Sequence, residues 1–190
     1  MRPRSRFSIA AVVAAATAVP AASASAGPAS TLVLGDAERR EATSRPGAAG
    51  PFDPTVGSAD YGSADAAFGA ARSGHVHAGQ DIFAPAGTAI VAVAGGVVVE
   101  AGSDGGRGNF VAVFDPRRDR TYVYFHMLEP ATQSAGERVS AGEPIGGVGC
   151  TGSCWGDHLH FELREGRDPY GEAVDPLPLL REWRSLPRPR

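Results

Sequence analysis

Five histidines serve a chain of 190 residues, and they fall in three places: His75 with His77, His126, and His158 with His160. Imidazole is the commonest metal ligand and titrates near neutrality, so clustered histidines point to metal binding or proton transfer. In His77-Ala78-Gly79-Gln80-Asp81, Gly79 and the nearby Pro85 and Gly87 argue against a helix. An extended chain puts positions 77, 79 and 81 on one side. Gly79 has no side chain, which leaves room for an ion between the imidazole and the carboxylate. In the second cluster His158, His160 and Glu162 alternate with Leu159, Phe161 and Leu163, so a strand would give the polar trio one face and the apolar trio the other. Two imidazoles and a carboxylate, with a fourth position left to water, form a recurring catalytic zinc set, whereas a closed structural site needs a fourth protein ligand. No His-Glu-x-x-His occurs, so a helix-borne metalloprotease site is unsupported.

The two cysteines, Cys150 and Cys154, stand just before the second cluster. A tetrahedral site of two cysteines and two histidines fits poorly. His158 and His160 are separated by one residue, whereas finger histidines are spaced by about three to five. A local disulfide is the better expectation in an exported chain, because oxidising compartments preserve the bond. Its loop is tiny, so the entropic stabilisation of the fold is modest.

These residues need strands to position them. Thr88 to Gly102 holds two β-branched runs split by Gly95-Gly96, Asn109 to Phe114 alternates, and Arg120 to His126 is rich in Tyr, Val and Phe. Glu137 to Gly147 reads as two strands around a Gly-Glu-Pro turn, and His158 to Arg164 as another. Strict alternation would put Tyr122, Tyr124 and His126 on one face. The pattern predicts a mainly β fold, an antiparallel sheet or barrel-like sandwich. Only Leu177 to Leu186 reads as a short helix, started after Pro176 or Pro178.

Upstream, Arg2, Arg4 and Arg6 precede an apolar run from Phe7 to Ala22 and then Ala24-Ser25-Ala26. That order is the signature of a cleaved secretory signal over residues 1–26, and the run is shorter than the ~20 residues of a membrane span. The expected product is secreted or wall-associated and keeps no membrane span. Residues 27–60 are Ala-, Pro- and Gly-rich and read as a flexible tether, leaving 61–190 as one domain. Removing Arg2, Arg4 and Arg6 lowers 18 basic residues to 15 against 21 acidic ones, a net charge of −6. With no Lys and no basic cluster, nucleic acid is excluded as a partner.

His77 to Asp81, Tyr122 to Leu128 around His126, Gly136 to Gly146 and Gly149 to Glu162 occur in the order found in lysostaphin/LytM-type zinc endopeptidases, which this chain resembles from about Gly74 to Leu180. The resemblance implies the duplicated hybrid motif fold, largely antiparallel β structure with a groove over the sheet. It implies one Zn2+ per chain held by His77, Asp81 and His160, with His126 and His158 as catalytic residues. It further implies hydrolysis, through a zinc-bound water, of peptide bonds in the stem peptides or cross-bridges of bacterial peptidoglycan. A monomer is expected. The alternative is a non-catalytic wall-binding or amidase-activating module on the same fold, though members of that kind typically lack ligands that are all present here. A zinc carboxypeptidase is disfavoured by the missing Glu-x-x-His. Glu162 is expected to orient an imidazole rather than act as a base, because metal-bound His usually donates its other N–H to an acceptor. The chain departs from the family pattern at Gln80, where an aliphatic residue is common, at the two cysteines, and at Asp157, where Pro is frequent.

Overall fold

The computed structural model describes residues 50–57 and 60–186; the expected signal segment and residues 27–49 of the expected tether lie outside them. The described residues contain eleven strands and one helix, joined by turns and irregular segments. The main sheet contains β3 (Gln80–Phe83), β5 (Gly96–Asp104), β6 (Gly108–Asp115), β7 (Arg120–Met127), β8 (Arg138–Val139), β10 (His158–Glu165) and β11 (Ala173–Val174). Its order is β11-β10-β7-β6-β5-β8, with β3 added beside the first half of β10, and all of these strand pairs are antiparallel. Two smaller pairs are β1 (Ala71–Arg72) with β2 (His75–Val76), and β4 (Ala89–Val91) with β9 (Pro144–Gly147). The expected β architecture is thus present. Strands 71–72, 75–76, 80–83 and 173–174 go beyond the sequence expectation, being two to four residues long and too short for periodicity to register. Among the described residues no helix is long and apolar enough to cross a membrane.

The core face of β10 is made by Leu159, Phe161 and Leu163, all fully buried. Tyr122 stacks on Phe161 at 6.2 Å, and Trp183 meets Tyr122 edge-on at 6.0 Å. Trp183 and Leu180 are the buried residues of helix α1 (Leu177–Ser185), one turn apart on a single stripe. Truncating an aromatic in such a layer typically costs ~3–5 kcal/mol. Tyr124 is fully buried, and its hydroxyl accepts a hydrogen bond from Val93 N at 3.0 Å. Both tyrosines therefore belong to the core and not to a substrate face.

Composition reads residues 50–57 as part of the tether, yet they lie along β4 as a further extended segment. Phe52 N donates to Val93 O at 2.8 Å, and Val91 N to Pro54 O at 2.8 Å. The reason is local: the buried Asp53 carboxylate accepts from Thr55 N and Thr55 Oγ1 at 2.9 and 2.8 Å and from the Tyr61 hydroxyl at 2.9 Å. Phe52 supplies the apolar anchor beside it.

Candidate metal centre and active site

The register of β3 on β10 sets Asp81 directly opposite His160. His77, just beyond β2, leans in from the segment that roofs this face, so the polar trio His158, His160 and Glu162 is buried rather than open to water. The three donor atoms His77 Nε2, Asp81 Oδ1 and His160 Nδ1 converge, with separations of 3.0, 2.9 and 2.9 Å. Tetrahedral zinc with bonds of about 2.0 Å sets its ligand atoms ~3.3 Å apart, so these donors surround a space that closely suits one ion.

The outer partners decide what those atoms carry. His77 Nδ1–H donates to the Ala67 carbonyl at 2.8 Å, which leaves Nε2 as a bare lone pair. His160 Nε2–H donates to Glu162 Oε1 at 3.1 Å, which leaves Nδ1 bare. Two lone pairs and a carboxylate oxygen facing one another repel unless a cation stands between them. Without a metal, a proton is the substitute. Burial lowers the affinity of His160 for a proton, but the hydrogen bonds and charges of Asp81 and Glu162 outweigh it and raise its pKa above the ordinary 6.5. Asp81 runs the other way: burial raises it, and the bonds from His160 and His77 hold it well below the usual carboxylate range. The residues present fit a divalent metal of the zinc type.

Several neighbours hold this arrangement. Arg72 Nη2 donates to Asp81 Oδ2 at 2.8 Å, leaving Oδ1 to the cluster. Glu162 Oε2 is gripped by Arg164 through Nη2 at 2.6 Å and Nε at 2.9 Å. Burial raises the Glu162 pKa, but His160 and Arg164 keep it below the ordinary value, so it stays an anion. Phe125 stacks nearly parallel on His160 at 5.1 Å. Gln80, the departure on β3, is buried; its Nε2 donates to the carbonyls of Tyr61 and Ala66 at 2.8 and 3.0 Å and laces the roof to the strand. Gly79 does more than leave space. A Cβ there would collide with the Phe161 carbonyl and stand 2.8 Å from His160 Nε2. We therefore expect Gly79→Ala to lose ~1–3 kcal/mol of stability and to weaken zinc binding. Denaturant titrations with and without zinc check this, and a wild-type response to added zinc would refute it.

His126 and His158 stand beside the cluster but outside it. His158 Nε2 is 3.6 Å from Asp81 Oδ1, and the His126 and His158 rings are 4.8 Å apart. His126 does not share a face with Tyr122 and Tyr124. The register of β6 on β7 jumps from Val111↔Tyr124 to Asn109↔Met127, a bulge that places one extra residue on β7. At that bulge His126 takes a positive φ of 61°, which re-aims its ring into the groove. In each ring Nδ1–H donates to a carbonyl at 2.8 Å, Thr151 O for His126 and Gly156 O for His158, which leaves Nε2 as the ring nitrogen not engaged by the backbone. Burial pushes the His126 pKa down to about 4 despite the Thr151 bond, so it is neutral at physiological pH.

All five candidate residues line one groove of about 790 Å³, walled also by Arg72, Phe83, Arg107 and Trp155. Cys150 and Cys154 are joined to each other and not to the cluster. His75 lies exposed at the groove rim. Sequence reasoning missed Arg72, Phe83, Arg107, Thr151 and Trp155. Arg72 sits on a two-residue strand with no pattern of its own, whereas Trp155, flanked by Cys154 and Gly156 just before His158, carried a positional signal that could have found it.

The model of peptidase family M23 matches residues 75–176. Lysostaphin of Staphylococcus staphylolyticus is 34% identical over 110 residues, covering 57% of this chain and 23% of that protein. Peptidoglycan DD-endopeptidase ShyC of Vibrio cholerae is 41% identical over 89 residues, covering 46% of this chain and 20% of that one. The match therefore spans less than a third of the length of these curated relatives. Among solved structures, the catalytic domain of the antimicrobial peptidase lysostaphin from Staphylococcus simulans superimposes with a TM-score of 0.56 at 30% identity, covering 65% of this chain and 92% of that one.

Proposed function

The chain belongs to peptidase family M23, and from that premise we propose that it is an exported, zinc-dependent endopeptidase hydrolysing peptide bonds of bacterial peptidoglycan. One observation carries the reading: three electron-pair donors converge on a cation-sized space while two further imidazoles, each anchored through Nδ1 to a backbone carbonyl, stand beside it in one groove. The relatives named for peptidase and peptidoglycan endopeptidase activity supply the substrate class.

His77, Asp81 and His160 would hold the ion. Zinc in such a site polarises a carbonyl and brings the pKa of water toward ~7. The protein supplies the proton traffic. His126, held neutral by burial with Nδ1–H on the Thr151 carbonyl, can accept the proton of the attacking water at Nε2, and His158 Nε2 stands beside it to share that transfer. The resulting imidazolium can then donate to the developing oxyanion or to the leaving amine. Arg72 keeps the second oxygen of Asp81 occupied, and Glu162 fixes the tautomer of His160. Export and cleavage of residues 1–26 are part of the same proposal and rest on the basic, apolar, Ala-x-Ala order of that segment.

The test is digestion of peptidoglycan from several wall chemotypes by the purified mature protein, with and without chelator, and identification of new amino termini by mass spectrometry. Internal cuts that disappear with chelator and return with zinc are expected. Binding without cleavage on every wall, with zinc loaded, would favour a non-catalytic module instead.

A further inference from the structure

The segment from Gly149 to Asp157 closes on itself through the Cys150–Cys154 disulfide, and it also supplies both carbonyls that orient the two histidines outside the metal cluster. Thr151, which accepts from His126, lies inside the closed loop. Gly156, which accepts from His158, lies just beyond it, yet its own N–H donates to Cys150 Sγ at 3.1 Å. Both acceptors are thus tied to one bridge. Thr151 is further pinned by its hydroxyl, which donates to Met127 O at 2.8 Å and accepts from Asn109 N at 2.9 Å. Otherwise the intervening backbone is held by one backbone bond, Ser153 N donating to Gly106 O at 3.0 Å. It contains no regular structure, and Gly152 and Gly156 both sit at positive φ, 73° and 134°. So small a covalent loop contributes little to global stability, which leaves a local role for it.

We propose that the Cys150–Cys154 disulfide is a positioning device for catalysis. It keeps the Thr151 and Gly156 carbonyls where they lock His126 and His158 as Nδ1–H tautomers with Nε2 turned to the substrate. The cysteines touch no reacting atom; they act through the backbone of the loop. The inference rests on the reading of both histidines as acid-base groups.

The double variant Cys150→Ser with Cys154→Ser tests it without leaving a stray thiol to bind zinc. On soluble wall peptides that the wild type cleaves, kcat is expected to fall about 10- to 100-fold, the order reached when a reacting group is misplaced by ~1 Å. Zinc content should remain one per chain and KM should stay within about twofold. The 15N shifts of the ring nitrogens in zinc-free protein should show single Nδ1–H tautomers for His126 and His158 in the wild type and mixed tautomers in the variant. Unchanged tautomers with unchanged kcat overturn the proposal, as does a kcat loss that merely follows loss of zinc or of folding. Should the double variant not fold, reducing the folded wild type with a phosphine and reading the same tautomers decides the matter. A wild type that cleaves no wall peptide removes the enzymatic reading, whereas the tautomer measurement still judges the role of the bridge.

Discussion

Replacing His160 with alanine should abolish zinc binding and cleavage together, and this is the largest loss expected from any single substitution. Three protein atoms form the cluster, and His160 Nδ1 lies 2.9 Å from each of the other two. Outer partners of metal ligands already contribute about 10–100-fold in affinity, so removing a ligand itself should exceed that. Competition against a chelating dye measures the affinity directly. A second readout does not depend on activity: an ion that binds only the folded state stabilises it by ~4 kcal/mol at 1,000 times its dissociation constant. The wild type should therefore gain melting temperature on zinc addition, and His160→Ala should not. Glu162→Gln makes the graded comparison. It keeps an oxygen acceptor for His160 Nε2–H but removes the negative charge, so affinity should fall by about 10-fold or somewhat more. Wild-type zinc affinity in His160→Ala would remove this residue from the metal site and with it the whole assignment.

What could be read in advance follows from the length scale of each pattern. The period-2 alternation of His158 to Leu163 extends over six residues, enough to assign faces, and β3 and β7 pair with it in a register that keeps those faces. The same rule failed at His126. One extra residue at the β7 bulge reverses the parity, and nothing in Tyr-Val-Tyr-Phe-His-Met marks where it falls. Composition failed at residues 50–57 for a related reason. Pro and Gly look like linker material, but a single buried Asp53 with its hydroxyl and amide partners is enough to seat the segment. Arg72 was illegible because its partner Asp81 is met only after the chain has turned through Gly74, which takes a positive φ of 84°. The bare reading of Gly79 as room for an ion pointed to the right place and understated the constraint. The backbone of Phe161 itself passes too close for any side chain.

Alanine at His158 or at His126 should leave zinc in place and remove most of the turnover, by ~10²–10⁴-fold in kcat, the range that positioned acid-base groups contribute. Metal retention follows from geometry, since neither ring supplies a cluster atom: His158 Nε2 stands 3.6 Å from Asp81 Oδ1, and the His126 ring centre lies 6.0 Å from that of His160. The two variants separate by a different measurement. His126 carries the pKa that burial has lowered to about 4, while the unfolded chain takes up the same proton near 6.5. Between those values the unfolded state binds more protons, so the stability contributed by neutral His126 is complete above 6.5 and is lost as pH falls toward 4. In zinc-free protein, His126→Ala should therefore lose less stability than the wild type between pH 6.5 and 4, and the His126 ring signal of the wild type should titrate near 4. A ring titrating at its ordinary 6.5 would place His126 in solvent and contradict the buried, carbonyl-anchored position. Loss of zinc from either variant would show that metal ligation and proton transfer have been divided wrongly among the four histidines of the groove floor.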